Sequence, residues 1–352
     1  MPITAQAWFL DQPGQPLVQR ALEIPDPGPG EAIVEVIACG LCHTDLGYAD
    51  GSVRTNHALP LVLGHEVVGT VVAAADASLI GKAVIVPAVL PCGKCAFCLA
   101  GRGNACTSQK MPGNDIHGGF ATHLLVPSAP LVLLDGAPKG MDLRMLSVTA
   151  DAVSTAWQAV RRAELKSGDV AIVIGAGGVG AFAVQIAKAL GAHVIACDVR
   201  GDRLEQVAAV GADLCVSVRD KNPRDVRKEV HGAANAWGVP SLNWRIFECS
   251  GTTEGQTLAF TLLARAATLV QVGFSAKPVE LRFSNLMAFD ATVHGTWGCP
   301  PEAYPDVLQL IWDGKLVLEP FCAHAPISKL NDLLADMAAH KLERRMIVDP
   351  RT

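Results

Sequence analysis

The chain lacks any excess of basic charge. Its 29 Lys and Arg stand against 34 Asp and Glu, a net charge of −5, and no basic block interrupts the sequence. That makes nucleic acid and an anionic membrane surface poor partners. Charged residues are scarce overall, at 18%, while 50% are hydrophobic, which excludes disorder and supplies a sizeable core. Aromatics are few, at 5%, against 33 glycines, a pairing that suits tight strand–helix turns and close backbone packing. Residues 1–19 show no basic segment followed by an apolar one, so no export signal is expected and the cytoplasm is the expected compartment. One long uncharged stretch, Val170 to Ala187, approaches the length of a membrane span. Its glycines at 175, 177, 178 and 180 divide it into a short strand, a turn and a helix instead. Eleven cysteines, an odd number without an export signal, argue against a disulfide framework and for metal ligation or burial.

At 352 residues, two domains are the default. Up to about Pro130, short β segments broken by Gly and Pro (Ala32–Cys39, Val67–Ala74, Ala83–Pro87, Phe120–Val126) read as a sandwich or partial barrel. Met141–Ala163 is richer in helix formers. From Asp169 strands and helices alternate. Val170–Ile174 is an apolar run of the fully buried kind, and Gly178–Leu190 is a helix stopped by Gly191. His193–Cys197 is a second strand, and a helix over Arg200–Val210 stops at Gly211. Further strands are expected at Leu214–Val218, Arg245–Glu248 and Thr268–Val272, with helices near Pro223–His231 and Gly255–Arg265. This is the rhythm of a parallel, doubly wound α/β unit. A helix at Glu302–Asp313, a β piece near Pro320 and a helix at Leu330–Lys341 follow. The expected division is a β-rich domain over 1–152, a dinucleotide-binding domain over 153–297, and a return to the first domain over 298–352.

Three constellations carry chemistry. Gly175-Ala176-Gly177-Gly178-Val179-Gly180 lies between an expected strand and an expected helix, the context a dinucleotide fingerprint requires. The glycines give the turn, the close approach to pyrophosphate and the tight helix–strand packing, and the helix N-terminus attracts the phosphates. Asp198 stands 23 residues after Gly175 and ends the next strand, where a carboxylate accepts from ribose hydroxyls and repels a 2′-phosphate. NAD is therefore favoured over NADP, although Arg200 and Arg203 nearby could pair a phosphate. Cys92, Cys95, Cys98 and Cys106, spaced C-x2-C-x2-C-x7-C, suit a closed tetrahedral zinc site; an iron–sulfur cluster also takes four cysteines. Finally, Cys42, followed by His43, Thr44 and Asp45, and His65 with Glu66 can build an open zinc site. Asp151, at the junction with the α/β unit, is the candidate further ligand, Glu66 a direct or intermittent one, and Asp45 the group that orients His65.

In these residues the chain resembles the zinc-dependent medium-chain alcohol dehydrogenases. The likeness covers Gly40–Asp45, Gly64–Gly69, the Cys92–Cys106 loop, Asp151, Gly175–Gly180 and Asp198. It implies a β-rich GroES-like catalytic domain with an inserted Rossmann domain, NAD as cofactor and two zinc ions per chain. It implies that Cys42, His65 and Asp151 hold the catalytic zinc, with Glu66 exchanging. Thr44 would bond the substrate oxygen and start a proton relay, and His43 would contact the pyrophosphate. Gly175, Gly177, Gly178, Val179, Gly180, Asp198 and Arg203 would bind the cofactor in a cleft between the domains. Gly47 stands where such enzymes often carry a relay histidine, which leaves His57 or solvent as the last proton acceptor. A homodimer or homotetramer acting on a small molecule is implied. A narrower likeness, in Lys110–Phe120, Ser284–Phe289 and Trp297–Pro301, is to dehydrogenases of 6-hydroxycyclohex-1-ene-1-carbonyl-CoA. It implies oxidation of a CoA-thioester alcohol to the 6-oxo thioester in anaerobic benzoyl-CoA breakdown, with Arg54, Lys94, Arg102 and Lys110 as candidate CoA phosphate contacts. The alternatives are a general secondary-alcohol or polyol dehydrogenase and a non-catalytic nucleotide-binding protein on the same fold.

Overall fold

A computed structural model describes residues 2–352. The chain divides into two compact units, one made of Met1–Ser154, Gly298–Leu308 and Leu318–Thr352, the other of Thr155–Trp297 and Gln309–Val317.

The first unit is β-rich. The strands Cys322–Pro326, Arg345–Asp349, Glu31–Gly40, Glu66–Ala74, Ala83–Val86 and Val132–Leu133 follow one another in a sheet, and His123–Pro127 also pairs with Glu31–Gly40. A smaller sheet joins Val18–Ile24, Ile3–Leu10 and Leu61–Val62. β-Branched side chains fill these strands and pack inward, Val34, Val36, Val67, Val71, Val84 and Val86 around Phe120. Register positions the chemistry. Gly40 pairs with Glu66 and Cys39 with Val67, so the end of one strand and the start of its neighbour deliver Cys42 and His65 to the same place. Ile347 pairs with Gly40 on the other side, which brings Arg345 to that edge as well.

The second unit is a six-stranded sheet, parallel throughout, in the order Leu214–Ser217, His193–Asp198, Val170–Ile174, Trp244–Glu248, Thr268–Gln271, Thr292–Gly295. This is the doubly wound dinucleotide-binding order, with its switch point between Val170–Ile174 and Trp244–Glu248. All five residues of Val170–Ile174 are buried, as the apolar run requires. Gly191 and Gly211 follow their helices at positive φ, +83° and +125°.

Several elements differ from the sequence reading. The sixth strand, Thr292–Gly295, and the short helix Ser284–Phe289 went unread, since their exposed faces carry no apolar period. The helix from Pro223 continues to Ala236. The β segment read from Phe120 begins at His123. The piece near Pro320 is a 3₁₀ turn at Glu319–Phe321 followed by the strand Cys322–Pro326. The helix-rich Met141–Ala163 stretch breaks into 3₁₀ turns over Leu143–Ala150 and an α-helix over Ala152–Arg162, with Asp151 at the break. Among the described residues, no helix is long and apolar enough to cross a membrane.

Candidate metal centres and cofactor site

In the first unit, ligand atoms of Cys42, His65, Glu66 and Asp151 all lie within 4.8 Å of one another. His65 Nε2 is 3.5 Å from Asp151 Oδ2, which is 3.9 Å from Cys42 Sγ. Metal–ligand bonds of about 2.0–2.3 Å in a tetrahedron put ligand atoms about 3.3–3.8 Å apart. The observed spacings fit such a cage. At 3.5 Å the His65–Asp151 spacing is long for a hydrogen bond, and both nitrogens of the buried His65 ring lack a partner of hydrogen-bond geometry. A zinc ion fits this donor set of one thiolate, one imidazole and carboxylate oxygen.

Asp45 organises the ligands from behind. Its Oδ2 accepts from Cys42 N at 2.9 Å and its Oδ1 from Gly64 N at 3.1 Å, and His65 Nδ1 lies 3.3 Å from Oδ1. One fully buried carboxylate thus ties the loop that bears Cys42 to the strand that bears His65. Burial opposes a charge on His65, but the Asp45 charge and contacts with Asp151 and Asp45 lift its pKa well above the ordinary imidazole value.

Glu66, grouped with Cys42, His65 and Asp151 by distance, also has protein partners of its own. Its carboxylate is held bidentately by Arg345 and accepts from Ala152 N at 3.1 Å. Both oxygens are therefore engaged, and metal contact would compete with an ion pair. Burial raises the Glu66 pKa, against the lowering effect of Arg345. Arg345 was not read from the sequence; it lies 279 residues from Glu66, and no local spacing announces it. Tyr304 also went unread. It is fully buried and donates to Ala150 O at 2.6 Å.

Thr44 Oγ1 lies 3.7 Å from Cys42 Sγ, at the start of the helix His43–Asp50. His43 beside it is exposed. Gly47 is buried, and a Cβ there would meet Val53 at 3.1 Å. His57 lies in an exposed loop, its Nδ1 2.5 Å from Ala58 O and its ring tilted against His117. No hydrogen bond joins His57 to Thr44 among the described residues.

The four-cysteine loop forms the second cluster. Leu90 and Lys110 exchange two backbone hydrogen bonds of 2.9 Å and close its base. The thiols of Cys92, Cys95, Cys98 and Cys106 all lie within 4.8 Å of one another, with Cys95 Sγ 3.5 Å from Cys98 Sγ and 3.6 Å from Cys106 Sγ. These are edges of a thiolate tetrahedron, since bonds of about 2.3 Å give about 3.8 Å between sulfurs. Backbone N–H groups of Cys92 and Ser108 point at Cys106 Sγ, and the Cys98 amide helps lower the Cys95 thiol to about 6. Burial and the neighbouring thiols push Cys98 the other way, up to about 12, so the sulfur spacing, not a shared low pKa, carries the metal reading.

In the second unit, Gly175 turns at φ +86°, and a Cβ on it would come within 2.6 Å of the Ser250 backbone. A Cβ on Gly180 would strike Gly175 O at 1.7 Å. Helix Gly180–Ala189 can therefore start only against glycine, and its N-terminus faces the carboxyl ends of the strands. Asp198 accepts from Ala176 N at 2.7 Å and Arg200 N at 2.8 Å, which fixes it beside the glycine turn. Arg203 Nη1 stands 3.9 Å from Asp198 Oδ2, while Arg200 Nε donates to Asp202 Oδ1 at 3.0 Å. A glycine turn between strand and helix, with a carboxylate fixed beside it, fits a dinucleotide.

Comparisons with known proteins give the family. Residues 28–136 match the alcohol dehydrogenase GroES-like domain and residues 178–313 match the zinc-binding dehydrogenase family. An L-threonine 3-dehydrogenase from Pyrococcus abyssi is 30% identical over 311 residues, 86% of each chain. An alcohol dehydrogenase from a Moraxella strain is 28% identical over 352 residues, 98% of this chain and 99% of that protein. Among solved structures, a cobalt- and zinc-bound thermostable alcohol dehydrogenase from Pyrobaculum aerophilum has a TM-score of 0.84 at 25% identity, covering 99% of this chain and 100% of that one. The chain belongs to the zinc-binding medium-chain alcohol dehydrogenase family and is an enzyme that works with NAD and zinc.

Proposed function

We propose that the protein oxidises a secondary alcohol to a ketone with NAD, at a zinc site made by Cys42, His65 and Asp151. The observation that carries this reading is that donor atoms of Cys42, His65 and Asp151 lie within 4.8 Å of one another, with Asp151 Oδ2 3.5 Å from the buried His65 Nε2 and 3.9 Å from Cys42 Sγ. When bound, zinc supplies Lewis acidity toward the alcohol oxygen and NAD supplies the hydride acceptor. The chain's own residues do the rest. Thr44 Oγ1, 3.7 Å from Cys42 Sγ, accepts the alcohol proton and passes it to solvent, because the buried, side-chain-free Gly47 offers no next acceptor. The Asp45 carboxylate stands 3.3 Å from His65 Nδ1, on the ring edge away from Asp151, which leaves Nε2 for the ion. Cys92, Cys95, Cys98 and Cys106 hold a second zinc that shapes their loop and leaves no open position. Asp198 selects NAD by receiving ribose hydroxyls, with Arg203 beside it, and His43 at the exposed end of its helix is the candidate pyrophosphate contact.

A general secondary-alcohol or polyol substrate is the reading the residues support. The narrower likeness to the CoA-thioester dehydrogenases rests partly on Lys110–Phe120, and packing accounts for that segment. Gly118 N and Gly119 N donate to Val62 O and Gly64 O, and a Cβ on Gly118 would meet Gly64 O at 2.2 Å. The segment braces the backbone that leads into His65. Arg54, Lys94, Arg102 and Lys110 are all exposed. Initial rates of NAD reduction with cyclohexanol, a polyol and 6-hydroxycyclohex-1-ene-1-carbonyl-CoA test the choice. Turnover of the simple alcohols supports the general reading, and turnover of the thioester alone overturns it.

A homo-oligomer is supported by the edge strand Thr292–Gly295, whose Val293 is exposed, in a unit that also leaves Phe283 and Met287 exposed. Light scattering on wild type and Val293→Lys reads the state. Eleven cysteines, none of them in a disulfide, fit a reducing, cytoplasmic compartment.

A further inference from the structure

Tyrosine is rare in this chain, with 2 in 352 residues, and Tyr304 is completely buried. A buried hydroxyl is costly unless it is bonded, and a phenylalanine would fill the same space without that cost. The Tyr304 hydroxyl spends its hydrogen on one acceptor, Ala150 O at 2.6 Å, the carbonyl just before Asp151. Ser154 Oγ sits 3.1 Å from the same phenol oxygen and 3.2 Å from Asp151 O. Burial pushes the phenol pKa well above its usual value, so the hydroxyl keeps its proton and remains a donor.

The segment it grips is the break between the 3₁₀ turns Leu143–Ala150 and the helix Ala152–Arg162. A break has no helical hydrogen-bond ladder of its own to fix it, so side chains must. Ala88 N donates to Ala150 O at 3.1 Å, and Ala152 N donates to Glu66 Oε1 at 3.1 Å. The Tyr304 bond completes a clamp around the one residue between them, Asp151, whose Oδ2 is 3.5 Å from His65 Nε2.

We propose that Tyr304 is a positioning residue that holds the Asp151 carboxylate at its vertex of the metal cage through Ala150 and Ser154. This rests on the reading of Cys42, His65 and Asp151 as the catalytic zinc ligands. Tyr304 touches neither metal nor substrate in this scheme; it acts on where Asp151 stands. Loss of such an outer partner typically costs about 10- to 100-fold in metal affinity.

The test uses the full-length protein with Co²⁺ exchanged into the catalytic site and zinc left in the four-cysteine loop. The visible d–d spectrum and the rate of cobalt loss to a chelator are compared for wild type, Tyr304→Phe, Ser154→Ala and Cys42→Ser. Tyr304→Phe is expected to shift the d–d bands and speed cobalt loss about tenfold or more, with the loop zinc and NAD binding unchanged. Ser154→Ala is expected to do the same more weakly, and it serves if Tyr304→Phe does not fold. Identical spectra and loss rates in wild type, Tyr304→Phe and Ser154→Ala would overturn the proposal. If Cys42→Ser leaves the cobalt spectrum unchanged, the ligand reading fails first and the positioning role falls with it.

Discussion

Arg345 lays its guanidinium across both carboxylate oxygens of Glu66, with Nε donating at 2.8 Å, and the side chains are 7% and 0% exposed. The pair joins the strand that begins at Glu66 to the strand Arg345–Asp349 from the far end of the chain, at the edge where Cys42 and His65 stand. Removing one member of a buried pair strands the other without water or a counter-charge, at a cost of about 3–5 kcal/mol. Arg345→Ala should therefore lower the unfolding free energy by about that much, and the double variant Glu66→Gln, Arg345→Met should recover part of it. Denaturant unfolding checks both. An Arg345→Ala protein as stable as wild type would show that the pair does not brace the fold.

Thr44→Val removes the hydroxyl and keeps the shape. A positioned proton acceptor contributes about 10²- to 10⁴-fold, so turnover should fall by at least about 10²-fold while zinc content and NAD binding stay as they are. Steady-state kinetics beside metal analysis separate these. His57→Gln should leave turnover near wild type, because His57 makes no hydrogen bond to Thr44 and sits with its Nδ1 on Ala58 O.

Asp198 is anchored by the amides of Ala176 and Arg200. Asp198→Ala should raise KM for NAD and relax the exclusion of NADP, since the 2′-phosphate then meets no carboxylate. Charge-assisted hydrogen bonds of about 1.5–3 kcal/mol correspond to roughly 10- to 100-fold in the ratio of kcat/KM for the two cofactors. An unchanged ratio would remove Asp198 from cofactor selection.

The pH dependence of stability has a defined sign at His117. Its Nδ1 accepts from Val62 N at 3.2 Å, and burial, with the neighbouring His57 ring, lowers its pKa below the ordinary 6.5. The folded state resists the proton that the unfolded state takes up. Its contribution is present above 6.5 and is lost as pH falls below 6.5 toward the lowered folded value. Thermal unfolding between pH 7.5 and 5 should show a smaller loss in His117→Gln than in wild type.

Much of this site could be read in the sequence, for local reasons. The cysteine spacing of the loop, the glycine turn between strand and helix, and Asp198 at the next strand end are all encoded within a few tens of residues. Cys42, His65 and Asp151 lie farther apart, yet each sits in a short run whose chemistry marks it, and the strand register Gly40 with Glu66 brings two of them together. What escaped was non-local. Arg345 and Tyr304 reach the site from the last 50 or so residues of the chain, in segments that look like ordinary strand and helix. The Lys110–Phe120 segment was read for what it resembles, whereas its glycines serve to pack on Leu63 and Gly64. The strand Thr292–Gly295 is an exposed edge and carries no buried apolar run to announce it.

The most direct measurement counts zinc and turnover together. Wild type should hold two zinc ions per chain, one for each donor cluster, and reduce NAD with a secondary alcohol. Cys42→Ser should keep the loop zinc, lose the other, and lose turnover. A Cys42→Ser protein that retains both ions and full NAD reduction would contradict the assignment of Cys42, His65 and Asp151 as the metal site.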